Sequence, residues 1–251
     1  MGISFGDHCY GTDCSGIDSF LQEKEMALKL SCPSYVIPGT WRENIEYINN
    51  EIPDITNVEL LFFIFDEETR ILLAPEEDFI RSYTGRLTFT VHLPDPFLPE
   101  HVDLLEKTNA VAKHWILHPP EKGKEKEFTD WIDSLRTVYG NRFLLENLIG
   151  RNHPWFIKYT DWPLCLDTGH ALLRGHSPSL YYHRFKERIR EIHLHDVIAG
   201  TDHSPFQEKS EWLQDFIPLL RSFSGICNIE LFKAADIAAS ISVILGEEGS
   251  L

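Results

Sequence analysis

Short apolar runs alternate with amphipathic stretches along most of the chain, which is the pattern of repeated strand and helix units. The apolar runs have the length of strands and are nearly continuous, as in parallel strands that are buried on both faces. The pattern predicts eight strands, at 34–37, 58–65, 87–92, 115–118, 143–146, 164–167, 191–195 and 226–231.

Helical periodicity fills most of the gaps between these strands, near 41–50, 76–84, 99–112, 125–138, 177–188, 210–222 and 234–245, whereas the fifth connection, near 153–160, is short. Eight strands joined in this way predict a single (β/α)8 TIM barrel, and 251 residues is a typical length for one. We expect the barrel to occupy residues 34–247. Residues 1–33 form an N-terminal extension that is helical in part, with a helix expected over 16–30.

Six of the predicted strands end in a side chain that can bind a metal ion. Because the carboxyl ends of neighbouring strands meet at one mouth of such a barrel, these six side chains are expected to converge. Each has an ordinary alternative role, such as a hydrogen-bonded histidine, a salt-bridged glutamate or a helix-capping aspartate. The alternatives do not explain why the pattern recurs, so we predict a metal centre formed by His92, His118, Glu146, Asp167, His193 and Glu230.

Two of these strand ends carry a further histidine. In the segment LDTGH, His170 follows Asp167 after a two-residue turn, which allows both side chains to face one centre. In HLHD, His195 is two residues beyond His193, so the two side chains should point the same way from their strand. We expect one of this pair to bind metal and His195 to position substrate.

The loops that follow the strands add candidates for the same mouth. Asp202 and His203 lie in the segment IAGTDHSPF, where active-site loops of a barrel belong, although exposed turn residues would look the same. Arg151, Arg174 and Lys233 follow three of the strands on the same face. Each is a candidate for gripping a phosphate oxygen, while solvated surface charge is the alternative.

Composition narrows the choice of substrate and compartment. The formal net charge is −16, from 39 acidic and 23 basic residues, and such a field repels long nucleic acids. DNA is therefore an unlikely partner, whereas a small anion remains compatible with a local metal cluster. The five cysteines show no zinc-knuckle spacing, and the first residues lack the features of a signal peptide. We expect a cytoplasmic protein that does not bind membranes.

In this order, the motifs HLP, HPP, LEN, LDTGH, HLHD, DH and IEL resemble the xylose-isomerase-like TIM-barrel superfamily, which includes endonuclease IV-type enzymes and sugar isomerases and epimerases. The resemblance covers about residues 35–233. For the isomerase and epimerase branch it implies one divalent ion held by Glu146, Asp167, His193 and Glu230.

The endonuclease IV-like branch implies a multinuclear zinc site, for which His92, His118 and His170 match the additional ligands. The ligand set of that branch also includes an Asp-x-His pair. Here Asp202 and His203 are adjacent, without an intervening residue, and this departure puts a complete third metal site in doubt.

A narrower similarity, to the cobamide-remodelling phosphodiesterase family, rests on the segments SYVIP, VELLFFIFD, TFTVHLP, HLHD and GTDHSPF. It implies hydrolysis of a phosphodiester in the nucleotide loop of a corrinoid. We therefore expect two or more divalent ions, zinc first and manganese, iron or cobalt as alternatives. Glu146, which would bridge ions, is expected to be catalytic together with Glu230 and His203.

Two other functions are compatible with the same residues. One is a sugar or sugar-phosphate isomerase or epimerase, in which Glu146 and Glu230 exchange protons with substrate carbons beside a single ion. The other is a barrel that binds a corrinoid or a sugar without turnover. The number of bound ions separates hydrolysis from isomerisation, because the isomerase does not need His92 or His118 as ligands.

Overall fold

Eight parallel strands form a closed barrel with helices around its outside, which confirms the predicted architecture. The computed structural model describes residues 28–151, 161–207 and 209–246. A two-stranded hairpin, β8–β9, stands between the seventh and eighth barrel strands, and the barrel closes where β1 pairs with β10. The strands are β1 Lys29–Pro33, β2 Ile55–Leu61, β3 Thr88–His92, β4 Ala112–Leu117, β5 Phe143–Glu146, β6 Leu164–Asp167, β7 Ile189–Leu194, β8 Asp196–Ile198, β9 Thr201–Ser204 and β10 Ile226–Ile229.

The helices of the described ranges pack their apolar faces against the strands. They are α1 Trp41–Glu51, α2 Glu67–Leu73, α3 Glu77–Ser82, α4 Val102–Thr108, α5 Glu125–Tyr139, α6 Thr168–Leu173, α7 Pro178–Phe185, α8 Glu211–Ser222 and α9 Ala234–Leu245, with a 3-10 turn at Pro99–His101. The start of α1 shows how the sequence sets these bounds. Thr40 and Glu43 form a reciprocal capping box that satisfies backbone groups of the first turn.

The first strand differs from its prediction: β1 is Lys29–Pro33, and 34–37 is not a strand. The apolar run SYVIP misled the prediction because its side chains anchor the loop after the strand. Val36 is buried there, and its backbone N–H donates to Asn44 Oδ1 at 2.7 Å. The barrel therefore begins at Lys29 and the extension is shorter than predicted. Of the helix predicted over 16–30, residues 29 and 30 belong to β1, and residues 16–27 lie outside the described residues.

The other strands overlap the apolar runs that predicted them, and β5 and β6 have the predicted bounds. The prediction for β2, 58–65, was wrong at both ends, because the strand is Ile55–Leu61 and residues 62–65 belong to the loop that follows it. The hairpin β8–β9 was not predicted, because the segment after HLHD looked like a loop. Residues 153–160, for which a short connection was predicted, lie outside the described residues.

The interior of the barrel is unusually polar below its mouth. Asn57 of β2 donates hydrogen bonds to Ser31 Oγ at 2.8 Å and to Thr90 Oγ1 at 3.2 Å, and all three side chains are buried. On the opposite side of the interior, Ile116, Leu144 and Cys165 form a small apolar cluster. The larger apolar core lies between the strands and the helices.

Three cysteines lie in the described part of the chain, and Cys32, Cys165 and Cys227 are all buried free thiols. Burial raises the pKa of the Cys227 thiol to about 12, so it stays protonated and unreactive. Among the helices that the structure describes, none has the length and apolar character needed to cross a membrane.

Candidate metal centre

The side chains at the carboxyl ends of six barrel strands converge at one mouth, as predicted. Within this mouth three sets of ligand atoms each lie within 4.8 Å of one another. The sets, which we call the first, second and third groups, are His92–His118–Glu146, Glu146–Asp167–His193–Glu230 and His195–His203–Glu230.

The first group joins the ends of β3, β4 and β5. The Nε2 atoms of His92 and His118 lie 3.3 and 3.5 Å from the same oxygen, Oε2 of Glu146. His92 is held on its other side, where Nδ1 lies 3.0 Å from the carbonyl oxygen of Leu93. This contact requires a proton on Nδ1 of the neutral ring, which leaves Nε2 with a free lone pair directed at Glu146.

The second group lies on the other side of the same carboxylate. Nδ1 of His193 is 3.5 Å from Oε1 of Glu146 and 3.2 Å from Oε2 of Glu230. Asp167 completes the group from the end of β6. Glu146 therefore contributes one oxygen to each group and could serve as a ligand in both.

Several ligand atoms of these groups are buried without a hydrogen-bond partner: Glu146 Oε2, Glu230 Oε2, His193 Nδ1 and His203 Nδ1. An unpaired buried polar atom is costly, and an unpaired buried carboxylate oxygen more so. The donor set of imidazole nitrogens and carboxylate oxygens suits zinc and is compatible with manganese, iron and cobalt. The residues present therefore fit a divalent-metal centre.

The segment LDTGH places Asp167 in two roles at once. Its Oδ1 accepts a hydrogen bond from the backbone N–H of His170 at 2.6 Å and so caps α6, while its Oδ2 lies 3.1 Å from Nε2 of His195. Asn147 fixes the end of β6, since its side chain donates to the Asp167 carbonyl and accepts from the Asp167 N–H, both at 2.8 Å. The carboxylate of Asp167 can therefore cap α6 with one oxygen and face the site with the other.

Gly169 in the same segment is required by close packing. A Cβ atom at this position would lie 2.0 Å from Cε1 and 2.4 Å from Nδ1 of His195, and 2.8 Å from Oδ1 of Asp202. The imidazole of His195 therefore lies directly against the backbone of the first turn of α6.

The third group includes His203 from the hairpin β8–β9. His203 has a positive φ of 47°, and its ring centroid is 4.4 Å from that of His195. His203 therefore joins His195 and Glu230, whereas His170 lies nearer Asp202, with Nε2 3.6 Å from Oδ2. Asp202 Oδ1 also lies 3.3 Å from Nδ1 of His195, so the adjacent residues Asp202 and His203 both contact this imidazole.

The field of the carboxylates controls the protonation of the imidazoles. Burial opposes protonation of His118, but the charge of Glu146 and the carboxylate of Asp95 raise the pKa of His118 to about 10. Burial likewise opposes protonation of His195, and Asp167 raises its pKa to about 9. The mouth therefore favours bound positive charge, which protons supply when no metal ion is present.

The carboxylates respond in the opposite sense. Burial works against ionisation of Glu146, yet the neighbouring His193 and His118 hold its pKa well below the usual range. Burial also opposes ionisation of Glu230, and His193 again holds the pKa of that carboxyl low. Both side chains are therefore ionised at neutral pH and available as metal ligands.

The three basic residues expected to contact substrate occupy different settings. Arg151 donates to the Pro119 carbonyl and to Asp95 Oδ2, each at 3.0 Å, beside the first group. Arg174 donates to the carbonyl oxygens of Leu148 and Arg151, both at 2.5 Å. The guanidinium of Arg174 thus stabilises the loop after β5. Lys233 is exposed at the start of α9. Contact of any of the three with substrate stays a prediction.

Sequence reasoning missed the residues directly below the second group. Nε2 of His193 lies 2.9 Å from Oε2 of Glu59, and the other Glu59 oxygen accepts from Asn228 Nδ2 at 3.0 Å. Glu191 is also fully buried and accepts from Thr90 Oγ1 at 3.1 Å. An acidic residue inside an otherwise apolar strand was the available signal, because such a residue needs a buried partner.

No protein-family model matches the chain, and no curated protein matches it. Solved structures do match its fold. A D-tagatose 3-epimerase-like protein has a TM-score of 0.63 at 16% identity, over 87% of this chain and 96% of that chain. Endonuclease IV from Thermus thermophilus has a TM-score of 0.60 at 15% identity, over 87% and 98%.

A third match is 3-keto-D-glucoside 4-epimerase from E. coli, with a TM-score of 0.60 at 12% identity, over 87% of this chain and 98% of that one. At these identities the likeness concerns the fold. TM-scores of 0.60 to 0.63 over most of each chain indicate a shared fold, which in this structure is a closed eight-stranded barrel. This chain therefore has the xylose-isomerase-like TIM-barrel fold.

Proposed function

We propose that the protein is a metal-dependent hydrolase that cleaves a phosphodiester in a small molecule. The observation that carries the proposal is the position of Glu146 between two groups of ligands. Its Oε2 faces His92 and His118, and its Oε1 faces His193. A shared carboxylate between two ions is typical of enzymes that displace an oxygen at phosphorus, because both the attacking and the leaving oxygen need compensating charge.

The residues divide into two metal-holding sets that share Glu146. His92 and His118 would hold one ion, and Asp167, His193 and Glu230 would hold another. Divalent ions bound here would supply Lewis-acid charge and activate water, with zinc as the first candidate.

In the proposed reaction water adds to phosphorus, the bond to the leaving alcohol oxygen breaks, and a proton passes to that oxygen. His203 has a buried Nδ1 without a partner beside Glu230 in the third group, so it is our candidate for handling this proton. Arg151, whose guanidinium is oriented by Asp95, is the candidate for gripping a phosphate oxygen.

The charge of the protein supports a small substrate. With a formal net charge of −16, the surface repels a long polyanion, so a DNA substrate is disfavoured even though one neighbour in fold is an endonuclease. The finer substrate proposal, the nucleotide loop of a cobamide, rests on the sequence similarity of five short segments.

A second candidate is a sugar or sugar-phosphate epimerase or isomerase. The second group alone supplies the four ligands that one ion needs, and all four are buried. Two of the neighbours in fold are named as an epimerase and an epimerase-like protein. In this function Glu146 and Glu230 would exchange protons with substrate carbons.

A metal count combined with an activity assay separates the candidates. The protein is purified without chelator, loaded with zinc or manganese and analysed by inductively coupled plasma mass spectrometry. Bis(p-nitrophenyl) phosphate then reports hydrolysis of phosphodiesters, while cobamides and a panel of ketoses are analysed for products by mass spectrometry. We expect at least two ions per chain and release of nitrophenol.

Glu146→Gln keeps the shape of the side chain and removes its charge, and it should abolish hydrolysis. Glu51→Gln, at the exposed last residue of α1, is the matched control and should leave hydrolysis unchanged. One ion per chain with epimerised ketose and no nitrophenol would establish the second candidate instead. Binding of a cobamide or sugar without any product would indicate a barrel that binds without turnover.

A further inference from the structure

A cavity of about 420 Å³ opens beside the first group of the metal centre. It lies between the loops that follow β3 and β4, the amino-terminal half of α5, and Arg151 after β5. His118 forms part of its wall and also faces Glu146 through Nε2. The cavity and the first group therefore share His118.

Away from His118 the cavity has an apolar wall, and Glu121, Lys124 and Glu127 also line it. Phe97 and Trp131 are stacked there, with ring centroids 5.0 Å apart and planes inclined by 26°. Leu98, Pro119 and Phe128 complete this apolar part. Such a surface binds the face or edge of a ring well, because burying apolar area is favourable and the stacked rings are already fixed.

The end of the cavity near the metal centre is polar and ordered. His118 Nδ1 lies 3.1 Å from Asp95 Oδ2, and Arg151 donates to the same oxygen at 3.0 Å. This oxygen lies close to both side chains, so an imidazole and a guanidinium are positioned together at one end of the cavity. Ligand sites commonly combine apolar walls with a few fixed polar groups in this way.

The size of the cavity sets the size of the group that fits. An engineered cavity of about 150 Å³ is known to accept benzene, so a space nearly three times as large accommodates a fused or substituted ring. A short aliphatic chain would leave much of the apolar wall in contact with water.

We propose that this cavity is a substrate subsite that receives an aromatic ring carried by the phosphoester, while the phosphoryl group lies at the first group of the metal centre. The inference rests on the proposed function in one respect, since it assigns the anionic end of the ligand to the metal centre. It adds a substrate class to that function: esters with a ring system close to the phosphorus.

Phenylphosphonate and methylphosphonate test the subsite by binding alone, because neither has an ester bond to cleave. Titration calorimetry on the zinc-loaded protein should show phenylphosphonate binding about tenfold more tightly than methylphosphonate. Leu98→Trp fills the cavity from a position that is 37% exposed. In this variant the preference should fall to about twofold or less, with the affinity for methylphosphonate unchanged. Val138→Trp, on the exposed face of α5, is the matched control and should keep the preference.

Equal affinities in the wild-type protein, no binding of either phosphonate, or an unchanged preference in folded Leu98→Trp would overturn the subsite. Should Leu98→Trp not fold, the wild-type ratio decides. The outcome is independent of turnover. Hydrolysis of phosphodiesters without tighter binding of phenylphosphonate would reject the subsite but support the proposed function. Tighter binding of phenylphosphonate without hydrolysis would support the subsite but reject the proposed function.

Discussion

Glu59 holds His193 from below the metal centre: its Oε2 lies 2.9 Å from Nε2 of the imidazole, whose Nδ1 faces Glu146 and Glu230. Both residues are fully buried, and Asn228 fixes the second oxygen of Glu59. A carboxylate in this position sets the tautomer and the direction of the ring, and so would direct the lone pair of Nδ1 towards a metal ion held by the second group.

Glu59→Gln should therefore weaken metal binding without removing a ligand. We expect the affinity of the second group to fall by about 10- to 100-fold, as for other residues that orient a metal-binding histidine. Competition with a chromophoric chelator measures the change. Glu191→Gln removes another carboxylate from the same interior and is the matched control, with a smaller expected loss. Equal losses in the two variants would mean that the buried charge matters and the contact with His193 does not.

The division of Glu146 between two groups predicts how the metal content responds to mutation. His92→Ala removes a ligand of the first group and leaves the second intact, so the content should fall by about one ion per chain. Elemental analysis of protein purified in parallel measures this directly. His183→Ala, on the exposed side of α7, serves as the control and should bind as many ions as the wild type. A content of one ion in both wild type and His92→Ala would contradict the binuclear centre.

The sequence allowed the mouth of the barrel to be predicted because each ligand ends an apolar run, and β5 and β6 illustrate this with Glu146 and Asp167 as their last residues. Contacts that form only when the barrel closes could not be predicted from these runs. Glu59 and His193 are far apart in the chain and meet only across the interior. The position of β1 was also hidden, because Lys29–Pro33 is less apolar than the loop that follows it.

Gly169 offers a test of the close packing behind the third group. Gly169→Ala places a methyl group where the ring of His195 lies, and both His195 and the surrounding turn are buried. Either the imidazole or the backbone must move, so we expect the free energy of unfolding to fall by about 1–3 kcal/mol, together with weaker metal binding. Urea denaturation and metal titration measure the two effects. Gly85→Ala, where an added Cβ meets nothing within 4 Å, should leave both quantities near their wild-type values. Wild-type stability in Gly169→Ala would show that His195 is not held against α6.

The raised pKa values of His118 and His195, about 10 and 9, make the stability of the metal-free protein depend on pH. The folded state binds these protons more tightly than the unfolded chain, in which a histidine has a pKa of about 6.5. Their contribution is therefore complete below about pH 6.5 and is lost as pH rises through 9 and 10. We expect the melting temperature of the metal-free protein to fall over this window. Because metal ions displace the same protons, binding at pH 7 should release them, and calorimetry in buffers of different ionisation enthalpy should detect the release. A metal-free protein whose melting temperature is constant from pH 6.5 to 10, and metal binding without proton release, would show that these imidazoles are neutral before the ions bind.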